Sequence, residues 1–180
     1  IPTADVDVVS DILGCDSRIA PRYLKAGLGY GGPCFPRDNK AFQCFADSVE
    51  LEAKLAEATD EINKLQSFRV INKARKICSS GIIAVLGLAY KPNTDNVEES
   101  QAIKIAEQLA LSHTVKVYDP KAMSNAKKVL GNKVHYVRSK QDCVNGCDLV
   151  IIATPWKQFE NLNVTCPVID CWRILKHEHV

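Results

Sequence analysis

Two apolar patterns divide the chain near Gly81. Before it, apolar residues recur at helical spacing; after it, short continuous apolar runs alternate with helical stretches. Val6, Val9, Ile12 and Leu13 read as the end of a helix stopped at Gly14. The segment "PRDNKAFQCFA" predicts a new helix, because Pro36 suits a first-turn position, Asp38 suits the positive end of the helix dipole, and Phe42 and Phe45 share a face. "ADSV" reads as a break. From Glu50 to Cys78 the apolar positions Leu51, Leu55, Ala58, Ile62, Leu65, Phe68 and Ile71 keep a helical rhythm, with neither proline nor glycine before Gly81. A helix of that length outgrows a small domain, so it is expected to link two domains or to pack against a copy of itself.

Past Gly81 the pattern changes. "GIIAVLGLAY" reads as a buried strand ending in a glycine turn, and "VEESQAIKIAEQLAL" as an amphipathic helix with Ile103, Ile105, Ala106 and Leu109 inward. "TVKVYDP" is a second strand, followed by a helix near 122–130, a short strand "KVHYV", a helix near 139–145, and the strands "CDLVIIAT" and "CPVID". Alternating strand and helix call for an α/β fold: a Rossmann-like parallel sheet flanked by helices, preceded here by an all-α piece with one long helix. A ligand is expected at the carboxyl ends of the strands.

At 180 residues there is room for one substantial core, or one domain and part of a second. The 23 Lys and Arg nearly balance 21 Asp and Glu, without blocks of like charge. Nothing is therefore suited to a nucleic-acid backbone or an anionic membrane, and the expected partners are small molecules or proteins. No apolar run approaches the roughly 18 residues of a membrane span, and no secretory pattern opens the chain. A soluble, cytoplasmic protein is expected. Eight cysteines contain no C-x-x-C, and the four histidines complete no zinc pattern, so no metal is expected.

The densest chemistry lies in "LKAGLGYGGPCFPRDNKAF", where Gly27, Gly29, Gly31 and Gly32 crowd in front of Cys34. Such a loop could be a phosphate cradle, a hinge, or backbone kept bare beside a thiol. If Pro36 begins a helix, Cys34 sits just before free N–H groups that lower a thiol pKa and can bind an oxyanion at an attacked carbon. Asp38 would lie one turn on. A carboxylate beside a thiolate raises the thiol pKa again, so its better role is with water. Cysteine plus carboxylate without a nearby histidine argues against a papain-like protease and toward a thioester that must be hydrolysed; the plain alternative is a buried Cys beside a helix-capping Asp. At the first strand's exit, "GLAYKP" lacks the further glycines of G-x-G-x-x-G, and Asp119 is not at the ribose-binding spacing. A mononucleotide site with Lys91 as phosphate partner fits better, against the alternative of an ordinary surface lysine.

These residues match a known pattern. "AGLGYGGPCFPRD" resembles the active-site signature of the UDP-glucose/GDP-mannose 6-dehydrogenase family, and "AVLGLAYKPNTDNVEESQAIKIAEQL" resembles the start of that family's nucleotide-sugar domain. "DSRIAPRYLKAG" and "IIATPWKQF" are similar to further family segments, so the resemblance covers essentially the whole chain. It implies a four-electron oxidation of a sugar C6 alcohol to a carboxylate with two NAD, passing through a thiohemiacetal and a thioester. By position Cys34 would be the nucleophile and Asp38 the carboxylate serving water. Gly31 would centre a bare backbone under the hexose, and Tyr23, Leu24 and Lys25 would contact the nucleotide sugar. Tyr90 and Lys91 would reach it from the second domain, and Arg18 from across a homodimer interface built on the long helix. Lys25 and Lys91 would take the phosphates.

Three departures accompany the match. Arg37 stands where the family has a lysine and is expected to meet the cofactor, while Glu98 stands where a basic residue is expected. Trp172 replaces the arginine of a late "D-G-R", and Arg173 is expected to substitute for it in binding substrate. Residues 1–79 would be part of a central helical dimerisation domain and residues 80–180 a UDP-binding domain. The family's G-x-G-x-x-G domain and its catalytic Lys and Asn have no counterpart in these residues, and Ile1 opens inside a helical pattern, so the chain is expected to be a piece of a longer enzyme. UDP-glucose is the expected substrate, with GDP-mannose and UDP-N-acetyl sugars as alternatives; a nucleotide-sugar-binding or dimerisation module without catalysis is the other reading.

Overall fold

A computed structural model describes residues 4–175. Three helices come first: α1 (Val6–Gly14), α2 (Phe35–Ser48) and α3 (Lys54–Ile77). Asp5 caps α1 by accepting from the Asp7 N–H at 2.8 Å. The break after α2 comes later than "ADSV" suggests, since α2 runs through Ser48 and the reversal is made at Val49–Ala53, with Glu50 at φ +58°. That left-handed residue is why α3 begins at Lys54 and not at Glu50.

An α/β unit follows: β1 (Ile82–Leu86), α4 (Gln101–Leu109), β2 (Thr114–Tyr118), α5 (Met123–Leu130), β3 (His135–Tyr136), α6 (Lys140–Val144), β4 (Leu149–Ile152) and β5 (Val168–Asp170). The five strands form one wholly parallel sheet in the order β3-β2-β1-β4-β5. β1 and β4 are apolar along their length because both sheet faces are covered. The order reverses between β1 and β4, and the carboxyl ends of those strands are where such sheets open a crevice.

The core is unevenly placed. Its main cluster runs from Ile71 through the sheet and α4 to Phe159 and Ile169, whereas the other buried cluster is only Ala46, Ala53 and Ala56, where α2 meets α3. Ile71, Ala74 and Cys78 belong to the main cluster, so the end of α3 is already part of the sheet's core, ahead of the 79/80 boundary. Toward the protein α3 turns Ala56, Ser67, Ile71 and Ala74, while Leu55, Ile62, Leu65 and Phe68 of its apolar stripe are exposed. Phe42 and Phe45 of α2 are exposed too, and no residue of α1 is buried.

Candidate active site

Each glycine of the loop before Cys34 has a packing partner. A Cβ on Gly27 would collide with the Trp172 ring, on Gly29 with the Asn63 side chain, on Gly31 with the Glu99 carbonyl, and on Gly32 with the Tyr90 ring. Gly32 also has φ +86°, a conformation that favours glycine. The glycines thus let the loop press against α3 and the sheet domain. At Gly31 the side-chain direction faces protein, so the missing Cβ serves the close approach to Glu99.

Hydrogen bonds lock the same loop. The Gly32 N–H donates to the Glu98 carbonyl at 2.8 Å, and the Tyr30 carbonyl accepts from Asn63 Nδ2 at 3.0 Å and Gln101 Nε2 at 3.2 Å. The Tyr30 hydroxyl donates to Asp60 at 2.7 Å, and Gln43 donates to the other Asp60 oxygen at 2.9 Å. Burial first, and then the bond to Asp60, push the Tyr30 phenol up to about 12. Sequence reading missed Asp60 and Asn63. Their signal was a polar stripe at helical spacing, which the large apolar residues of the same helix outweighed.

Cys34 is the N-cap residue of α2, with φ −95° and ψ −67°, and its side chain is exposed. Pro36 lies in the first turn, and the Asp38 N–H closes that turn on the Cys34 carbonyl at 2.8 Å. The thiol therefore stands at the positive end of a helix of 14 residues. Arg37 Nε donates to Asp38 Oδ1 at 3.0 Å, and this bond, with the Asp38 charge, holds the guanidinium above its ordinary value; Cys34 and Glu98 add to the rise. Cys34, Arg37, Asp38 and Glu98 thus form one group. A groove of about 480 Å³ runs beside it, lined in part by Gly32, Arg37, Asn63, Glu98 and Lys104.

The loop carrying Tyr90 and Lys91 is held from below by buried side chains. Asp119, after β2, accepts the Leu88 and Ala89 N–H groups and Trp156 Nε1 on Oδ2, and the Lys121 and Ala122 N–H groups on Oδ1. Ser100 donates to the Leu88 carbonyl and Thr154 to the Ala89 carbonyl, both at 2.7 Å. Every backbone polar group of Leu88 and Ala89 is thereby satisfied, as burial requires. Tyr90 then meets Gly32, and Lys91 Nζ lies 5.4 Å from the Tyr90 ring centroid.

This arrangement does not fit a dinucleotide at the sheet edge. The acidic residue after the second strand would serve a ribose in such a site. Here Asp119 is consumed by five N–H donors within the protein, and Gly87 packs on Thr154. Arg37, expected to meet NAD, is engaged with Asp38.

The remaining expected contacts lie on two segments. Leu24 is held by Ser10 Oγ, which donates to its carbonyl at 2.9 Å, and Lys25 follows, exposed. Trp172 donates from Nε1 to the Ala153 carbonyl at 2.9 Å and covers Gly27, so it works as a packing anchor. Arg173, at φ +51°, binds Asp7 of α1 through both carboxylate oxygens. Tyr23 is 98% exposed, and Arg18 pairs with Asp16 at 2.6 Å on the surface. The structure therefore groups Cys34 with Asp38, Gly31 with Tyr90, and Lys25 with Arg173, while Tyr23 and Arg18 point away into solvent.

Comparison with known proteins decides the family. The profile of the UDP-glucose/GDP-mannose dehydrogenase family, UDP binding domain, matches residues 84–177, and that of its central domain matches residues 2–65. The chain belongs to this family. UDP-glucose 6-dehydrogenase YwqF of Bacillus subtilis is 40% identical over 163 residues, which cover 87% of this chain and 37% of that protein. The Rickettsia typhi UDP-glucose 6-dehydrogenase is 34% identical, covering 97% of this chain and 44% of that protein. A UDP-glucose dehydrogenase structure from Pyrobaculum islandicum superposes with TM-score 0.89 at 38% identity, over 93% of this chain and 40% of that one. GDP-mannose dehydrogenase from Pseudomonas aeruginosa shares the fold, with TM-score 0.79 at 18% identity over 99% of this chain and 45% of that one. The chain thus spans about two fifths of the length of these relatives.

Proposed function

We propose that these residues supply the nucleotide-sugar site and the thiol centre of a UDP-glucose 6-dehydrogenase, a dimer built on α3. The observation that carries this reading is an exposed thiol at the N-terminus of α2, on a glycine loop bonded directly to a UDP-binding domain. In this reading Lys25, Lys91 and Arg173 take the diphosphate, Leu24, Tyr23 and Tyr90 shape the nucleotide-sugar site, and Arg18 comes from the second protomer. Gly31 keeps its place as the close approach between the loop and Glu99.

The Cys34 thiolate adds to the C6 aldehyde, forming a C–S bond, and the N–H groups opening α2 face the resulting oxyanion. At the thioester stage Asp38 accepts a proton from water, whose oxygen attacks the carbonyl and expels the thiolate. Arg37 orients that carboxylate through their bond. NAD is the family's hydride acceptor; the described residues do not cradle it, and none is given a role in hydride removal.

The test is alkylation of Cys34 by iodoacetamide, followed by peptide mass spectrometry, on the 180-residue chain. UDP-glucose should slow labelling of Cys34 and leave Cys15 and Cys44 unaffected, GDP-mannose should protect less, and the chain alone should produce no NADH from UDP-glucose. Equal labelling with and without UDP-glucose would refute the assignment.

A further inference from the structure

A diphosphate needs cations, and one of those assigned to it is already held. Arg173 Nε donates to Asp7 Oδ2 at 2.8 Å, and Nη2 donates to Asp7 Oδ1 at 2.7 Å. This two-pronged geometry is the one in which a guanidinium grips a phosphate, so carboxylate and diphosphate would use the same fork. Asp7 lies 166 residues from Arg173 in sequence, in the first turn of α1.

The same helix reaches the other side of the site. One turn beyond Asp7, Ser10 Oγ donates to the Leu24 carbonyl at 2.9 Å. Gly27 lies against Trp172, which sets the segment of Leu24 and Lys25 alongside that of Arg173. The Asp7 carboxyl is held below its usual range by the Arg173 bond first, and by the nearby charge of Lys25 as well. Asp7 thus binds one cation assigned to the diphosphate and feels the charge of a second. Its side chain is 41% exposed and that of Arg173 is 35% exposed, so an arriving anion can reach both. The pair stays at the water's edge, where an ion pair is worth little and is readily exchanged for another anion.

We propose that Asp7 is a built-in counter-anion of the nucleoside-diphosphate site, which holds Arg173 until a diphosphate takes the guanidinium over. The proposal rests on Arg173 being a substrate contact, as assigned above. Its consequence is selectivity: a ligand must carry the diphosphate charge to displace Asp7, and uridine lacks it. Binding also frees α1 from the segment after β5.

Calorimetric titration of the 180-residue chain with UDP and with uridine tests this in four forms: unmodified, Asp7→Asn, Arg173→Met and the double variant. Asp7→Asn keeps the shape and removes the charge. It should tighten UDP about two- to fivefold, the scale of a part-exposed ion pair, and leave uridine unchanged. Arg173→Met should weaken UDP, and Asp7→Asn should have no further effect upon it. Weakened or unchanged UDP binding in Asp7→Asn, with Arg173→Met still weakening it, would overturn the counter-anion and leave Asp7 a clasp. UDP affinity unchanged by Arg173→Met would instead refute the assignment of Arg173 itself. The unmodified chain offers a reading that needs no variant: the Arg173 Nε–H resonance should shift on titration with UDP and not with uridine. A resonance indifferent to UDP would also overturn the proposal.

Discussion

Gly32 concentrates two demands in one residue. Its φ of +86° disfavours any side chain, and the direction a Cβ would take is filled by the Tyr90 ring. Tyr90 itself is held in place through Leu88 and Ala89, whose backbone bonds end on the buried Asp119, Ser100 and Thr154. The substitution Gly32→Ala should therefore cost about 1–3 kcal/mol from backbone strain, with a further loss from the collision. Thermal unfolding of Gly32→Ala beside Gly32→Ala/Tyr90→Ala separates the two terms: removing the ring should recover only part of the loss. Full recovery would mean that the backbone conformation carries no strain.

Among the elements, α3 carries two faces with different roles. One presents Asp60 and Asn63 to the Cys34 loop and continues into the core at Ile71 and Ala74; the other presents large apolar residues outward. The tie from loop to helix through the Tyr30 hydroxyl and Asp60 can be read by pH. Because the Tyr30 phenol is raised from 10.0 to about 12, the tie's contribution is fully present below the ordinary value and is lost as pH rises through the raised one. The difference in melting temperature between the unmodified chain and Tyr30→Phe should hold steady up to pH 10.0 and shrink as pH approaches about 12. A difference constant across that window would show that the hydroxyl does not stabilise the loop. Helix existence and order were legible in the sequence, since amphipathic spacing is local. Which face of α3 meets the rest of the chain was not, because before Ile71 the inner face is made of alanines and polar residues that periodicity counts as outer.

For the whole molecule, the asymmetry of the core matters most. The sheet domain holds nearly all the buried apolar residues, while α1, α2 and the first half of α3 leave Val9, Ile12, Phe42, Phe45, Leu55 and Ile62 exposed. Large apolar side chains exposed in this number on one part of a molecule point to a contact face. In the proposed dimer the α3 stripe is that face, so Leu55→Glu combined with Ile62→Glu should turn a dimer into a monomer in light scattering without loss of helical circular dichroism. A dimer that survives both changes would rule out the stripe as the interface.

The sequence by itself determined the alternation of strands and helices, the parallel sheet, the start of α2 beside Cys34 and the family resemblance. Those features follow from local periodicity and from short motifs whose chemistry is written in neighbouring residues. Only the tertiary structure decided why the glycines are there, that Asp119 takes the Leu88 and Ala89 N–H groups, and that Arg173 answers to Asp7. Each joins residues about 30 or more positions apart, and for Arg173 and Asp7 the separation is 166. No local pattern encodes such a contact, because close approach across the chain is set by how the layers pack and not by what stands next in sequence.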